Sequence, residues 1–214
     1  MKLPFTAEQF LDVFAAYNAH LWPLAAFLWM LSAGALVMVL SGRRADRAMD
    51  RNVILLLASH WAWSAVAYHL AFFSAINPAA VPFAVGFLAQ AALLATAWGS
   101  PPAFSPGRTL RHAAGAMVAA YGLAYPLVAT LTVHPYPQVP TFGVPCPTAL
   151  FTIGILLTAE PLRPLLLIIP LAWSLIGGSA AVVLRMTPDY ALLVAAVVLL
   201  VAVLKEHRVT RRGV

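Results

Sequence analysis

Two histidines, His60 and His69, stand in the run ASHWAWSAVAYHLAFFSAINPAA (residues 58–80), which otherwise has the composition of a lipid-solvated helix. Imidazole can bind a metal, pass a proton or hydrogen-bond across helices. Inside a bilayer, polar side chains are costly enough to be functional candidates by default. Nine residues along a helix set the two rings about 180° apart, so they cannot ligate one metal or one haem together. His60 lies near mid-span with Ser64 one turn on, and reads as a neutral imidazole bonded to a neighbouring helix. His69 lies about 10 Å from the end of its span. Four other stretches bring polar or aromatic groups to that same end: His20 and Trp22, Asn77, His134, and Cys146. Thr148 and Thr152 share a face of the helix that follows Cys146, whose first N–H groups suit an anion or a polar head. Tyr68 shares a face with Trp61, and buried phenol and indole are suited to lining a small-molecule cavity. Together, His20, Trp22, Tyr68, His69, Asn77, His134, Cys146, Thr148 and Thr152 form the candidate ligand site.

His69, His134 and Cys146 are the metal candidates, because thiolate and imidazole suit zinc or copper. Their spacing lacks any close pair such as Cys-x-x-Cys or His-x-x-x-His. Cys146 stands between two prolines with no cation beside it in sequence, and is expected to be an unreactive thiol. No catalytic residue and no cofactor is assigned. The last apolar run, YALLVAAVVLLVAVL, has no lysine for a retinal Schiff base. A b-type haem needs axial ligands of suitable depth on facing helices, and His112 lies too far inward and His20 too far outward to pair with His69. Neither a glycine-rich phosphate loop, nor a serine-nucleophile elbow, nor a zinc-protease helix is present. Glu160, three residues from Arg163, is expected to pair with it at the interface, and Gln90 to serve helix packing.

The elements that position these residues follow from composition. The chain of 214 residues is 62% hydrophobic and 9% charged. A soluble domain carries about 25% charged residues, so most of this surface must face hydrocarbon. Its formal charge of +6 comes from short basic clusters between apolar runs, which report topology and not a nucleic-acid partner. With about 20 apolar residues needed per crossing, the runs 19–41, 52–76, 79–98, 112–133, 147–160, 163–184 and 188–204 predict an all-α membrane protein of seven transmembrane helices. The fifth is short. Residues 1–18 precede these spans, with Thr6 and Gln9 at capping-box spacing and Phe5 against Phe10 as a staple. They predict an interfacial helix over 7–18. Residues 19–204 form the transmembrane domain and 205–214 a basic tail. Eleven of the thirteen Lys and Arg then fall on one side, with Lys2 and Arg185 on the other. That places the N-terminus outside and the C-terminus in the cytoplasm.

The chain also matches itself at an offset of 110 residues: LLLASHWAWS against LLLIIPLAWS, with Trp63 on Trp173 and Pro78 on Pro188. This predicts two parallel triplets, spans 1–3 and 5–7, joined by span 4. LWP at 21–23, YHLAFFSAINPAA at 68–80, Gln90 and PCPTALFTIGILL at 145–157 resemble a family of uncharacterised bacterial multi-pass membrane proteins, a domain of unknown function, over nearly the whole chain. The resemblance implies a bacterial cytoplasmic-membrane protein and brings no activity or cofactor. The expected partners are the lipid bilayer and a small molecule or ion, with no nucleic acid. The leading expectation is a transporter or membrane-embedded binding protein with an outward-facing polar pocket. The runner-up is a membrane enzyme or redox component using a metal or quinone near the outer leaflet, and the third a structural subunit.

Overall fold

The computed structural model describes residues 4–42 and 46–212, with side chains through Glu206. Lys2, Arg43 and Arg44 lie outside the described residues, and Arg208, Arg211 and Arg212 are described in backbone only. The described residues form seven α-helices: α1 Ala7–Leu40, α2 Arg47–Trp63, α3 Ala80–Thr96, α4 Leu110–Thr132, α5 Pro145–Leu157, α6 Ile168–Leu184 and α7 Tyr190–Arg212. Six are long and apolar enough, with their flanking turns, to cross a membrane, and α5 is the short one.

The local signals in the sequence act as expected at several termini. Thr6 Oγ1 accepts from Gln9 N (3.2 Å) while Gln9 Oε1 accepts from Thr6 N (2.9 Å), and the Phe5 and Phe10 rings stack 5.7 Å apart. Asp46 caps α2 by accepting from Ala48 N, and Pro145 opens α5, where a missing N–H costs nothing. One boundary differs from the expectation. Residues 7–18 run without a break into the first apolar run, as the first turns of a continuous 34-residue α1. At about 1.5 Å per residue α1 is about 51 Å long, against a hydrocarbon core of about 30 Å. Pro23 sits inside it, as prolines do in membrane helices whose neighbours supply the missing contacts.

α5 is the core of the bundle. Every residue in it except Cys146 is buried, and its sequence is apolar on all sides, as a helix without a solvent or lipid face must be. It lies antiparallel on α4 through small residues. A Cβ on Gly115 would fall 2.7 Å from Gly154 O, and one on Gly122 2.9 Å from Phe151 N, so the two backbones touch where side chains would hold them apart.

Hydrogen bonds define two ends of the bundle. At one, residues 103–104 pair antiparallel with 159–160, and Phe104 N donates to the buried Asp50 at the start of α2. Arg111 donates to Leu157 O (2.7 Å), to Ala159 O (2.8 Å) and to Glu160. The ion pair expected between Glu160 and Arg163 is therefore replaced. Glu160 belongs to Arg111, which also takes the carbonyls of Leu157, the last residue of α5, and of Ala159 just beyond it, while Arg163 donates to Ser100 O. At the opposite end, Asn18 Nδ2 donates to Pro137 O (2.7 Å) and Val139 O (2.8 Å), and Thr141 donates to Asn18 Oδ1. These bonds fasten the proline-rich 133–144 segment to α1.

Candidate functional site

Past Trp63 the helix widens to π spacing over Ser64–Leu70, then closes in a 3₁₀ turn at Phe73–Ala75. Such widened turns inside helices are frequent at functional sites, because they redirect side chains that α geometry would stack in register. Asn77 Oδ1 accepts from Ala79 N (3.0 Å) and turns the chain into α3. Tyr68 and Phe73 from this stretch meet the rings of α1. Phe10 and Phe14 lie 4.8 Å apart between centroids, Phe14 and Tyr68 5.8 Å, and Tyr68 and Phe73 5.6 Å, which makes a continuous aromatic wall.

That wall encloses one side of a cavity of about 560 Å³ at the end opposite Arg111. The other side is α6, through Trp173, Ile176, Gly177 and Ala180, and Cys146 and Asp189 also line it. Ile176, Ser179 and Val183, on the exposed face of α6, line it too, so the cavity opens sideways between that helix and the N-terminal rings.

Asp189 ends the 3₁₀ turn Thr187–Asp189 immediately before α7 and is 4% exposed. Helix α4 fixes it: Tyr121 donates to Pro188 O (2.9 Å), and Tyr125 donates a short hydrogen bond to Asp189 Oδ1. The Cys146 thiol lies near the same carboxylate on the cavity wall. The ion pairs of Glu160 with Arg111 and His112 lie at the other end of the bundle, and among the described residues no ion pair includes Asp189. The sequence reading gave Asp189 no role. The available signal was an acid placed directly after Pro188, at the mouth of an apolar run that needs none.

Of the candidates from sequence, Tyr68, Asn77 and Cys146 line the cavity. His69 is wholly buried behind its wall, 5.4 Å from Trp173, 4.7 Å from Phe87 and 5.8 Å from Phe83 between ring centroids. Neither of its ring nitrogens has a hydrogen-bond partner, a rare condition for a buried polar group. His60 meets different neighbours, with Nε2 3.2 Å from Ser32 Oγ and its ring against Phe142 and Phe151. The remaining candidates are placed elsewhere. His20 is exposed, its Nδ1 2.8 Å from Ala16 O, and Trp22 lines a second hollow of about 430 Å³ with Trp29, Leu123 and Tyr136. His134 is half-buried beyond the end of α4. Thr148 is buried in α5 with its hydroxyl unpartnered, and Thr152 accepts from Trp61 Nε1 (2.9 Å). His69, His134 and Cys146 do not gather: among the described residues no three His, Cys, Asp or Glu side chains stand close enough to hold a metal ion. Phe5, Phe10 and Phe14 of the N-terminal segment also line the cavity.

The site is therefore a mainly apolar chamber with one carboxylate on its wall, and the polar pocket expected from sequence becomes an aromatic one. Its volume falls within the roughly 300–1,000 Å³ of small-molecule sites, whose few polar groups orient a mostly apolar ligand. Residues 7–213 match the model of a family of unknown function, DUF6064, and the chain belongs to that family. No curated protein and no solved structure matches the chain.

Proposed function

We propose that this member of DUF6064 is a membrane-embedded binding protein for a small amphiphile that enters the aromatic cavity sideways from the bilayer. The observation that carries the reading is the cavity itself. Its lining is aromatic and aliphatic, its mouth includes the exposed Ile176 and Val183 of α6, and its polar groups are few. A hydrocarbon chain gains little by leaving lipid for such a site, so selectivity rests on Asp189, Cys146, Asn77 and Tyr68, which only a ligand with a polar head can engage. Transport of the bound molecule is the extension of this reading, with the two triplets suggested by the match of Leu55–Pro78 to Leu165–Pro188 as the moving halves. The distribution of Lys and Arg supports a cavity on the outer side of a bacterial cytoplasmic membrane.

Cys146 is the sole cysteine, so it reports on the cavity without engineering. In nanodiscs, N-ethylmaleimide is expected to label it, and saturating dodecanol to slow that labelling several-fold. An Ile176→Trp substitution, which narrows the mouth, should slow it as well. Labelling at one rate in all three cases would sink the proposal.

A further inference from the structure

Among the described residues, Asp189 is the one acidic side chain that lines the cavity, and the neighbours that meet it are neutral. Tyr125 donates an O–H, and Cys146 offers a thiol. Neutral donors orient a carboxylate but leave its charge uncompensated. Burying such a charge without a counter-ion costs several kcal/mol, which is why buried acids in proteins are paired or change protonation. No Lys, Arg or His among the described residues forms an ion pair with this one. The rings of Phe10, Phe14, Tyr68, Phe83 and Trp173 line the same cavity as this carboxylate, and aromatic rings attract cations to their faces. The wall and the acid thus favour the same charge, from different chemistry.

We propose that the cavity selects a positively charged amphiphile, an ammonium group on a hydrocarbon chain, with the ammonium set against Asp189 and the chain along the aromatic wall. This rests on the binding function proposed above and names its ligand class. The ligand supplies the missing counter-charge, so the empty cavity is electrostatically incomplete and the loaded one is not. An anionic amphiphile of equal length meets the carboxylate as a like charge. A neutral alcohol finds a hydrogen-bond acceptor but no charge to complement.

The test uses the full-length protein in nanodiscs of phosphatidylglycerol, which carries no ammonium. Dodecyltrimethylammonium, dodecanol and dodecyl sulfate are compared by the concentration of each that halves Cys146 labelling. The expected order is dodecyltrimethylammonium at least tenfold below dodecanol, and dodecyl sulfate weakest. An anionic bilayer concentrates any cation, so the decisive number is the change on Asp189→Asn, where the ammonium-to-dodecanol preference should drop below threefold. Circular dichroism reports whether that variant folds. If it does not, Phe83→Leu removes an aromatic face without touching the acid and should cut the preference at least threefold. An equal preference in Asp189→Asn and the unaltered protein overturns the ammonium proposal and leaves the binding function standing. Protection by none of the three probes overturns both. Lys2 lies outside the described residues, so a Lys2→Gln variant is included. A tenfold gain in ammonium affinity there would show Lys2 to be the counter-ion and overturn the proposal. Phosphatidylethanolamine added at a tenth of the lipid separates the two sources of the head: competition with the probe identifies a lipid headgroup, and its absence a free lipophilic amine.

Discussion

The contact between α4 and α5 can be tested with one methyl group. A Cβ on Gly154 would overlap the backbone N and Cα of Ala119, whereas one on Gly34, in α1, meets nothing within 4 Å. Both glycines are interior to helices, so Gly→Ala gives each the same propensity gain of about 1 kcal/mol. That gain cancels in a comparison of the two variants. What remains is the overpacking at Gly154, about 1–3 kcal/mol in well-packed cores. The clash is with backbone and not the end of a flexible side chain, which sets the cost in the upper part of that range. Gly34→Ala is therefore expected to stabilise by about 1 kcal/mol and Gly154→Ala to destabilise by about 1–2 kcal/mol, a difference of roughly 2–3 kcal/mol. Reversible unfolding in mixed micelles with increasing SDS, followed by tryptophan emission, measures both. The displacement of α5 should also carry Cys146 away from Asp189 and weaken dodecanol protection in the Gly154 variant alone. Equal stabilities within about 0.5 kcal/mol would refute the close approach of the two helices.

Other outcomes follow from single contacts. Arg111→Met strips the carbonyls of Leu157, at the end of α5, and of Ala159 of their charged donor and should cost about 2 kcal/mol, whereas Glu160→Gln, at a half-exposed side chain, should cost under about 1 kcal/mol by the same titration. Gly143 has φ +89°, and a Cβ there would lie 2.7 Å from Tyr17 Oη and 2.8 Å from Trp63 Nε1. Gly143→Ala should destabilise by about 2 kcal/mol or more and release the hydrogen bond from Trp63 to Tyr17, a change visible in tryptophan emission. Alkaline phosphatase fused to the C-terminus should be inactive and a fluorescent protein there bright; the reverse would overturn the proposed orientation.

Hydrophobic runs and prolines made the helices legible, because length and apolarity alone decide what can cross a bilayer. The short fifth run was legible as an exception, and its burial explains it: α5 is covered by protein on all sides and needs no lipid-length exterior. The join of residues 7–18 to the first span was not legible. Thr6 and Gln9 mark where a helix begins, but nothing in sequence separates one long helix from two short ones when the second starts with polar residues. The site was half legible. Period and span ends placed Tyr68, Asn77 and Cys146 at one end, and all three line the cavity. His134 was assigned by the same logic and stands outside it, because sharing an end of a bundle fixes height and not azimuth. Asp189 escaped because its partners Tyr125 and Cys146 are 64 and 43 residues away in sequence, and only packing brings them together. The π segment was equally hidden, and it decides how Tyr68 and His69 are presented.

The unbroken course of α1 has a mechanical consequence. Its N-terminal turns carry Phe10 and Phe14 of the cavity wall, and its Asn18 holds Pro137 and Val139 of the segment that leads into α5. A rod of this length must lean to fit a thin bilayer and stand straighter in a thick one. Pivoted at mid-membrane, a five-degree change in lean moves Phe10 and Phe14 sideways by on the order of 2 Å, since they lie fifteen to twenty residues up the rod at about 1.5 Å each. Membrane thickness thereby becomes a control on the width of the chamber, transmitted along one continuous helix. Dodecanol protection of Cys146 should differ between nanodiscs of 14-carbon and 20-carbon acyl chains. Identical protection in the two would show that the rod does not lean.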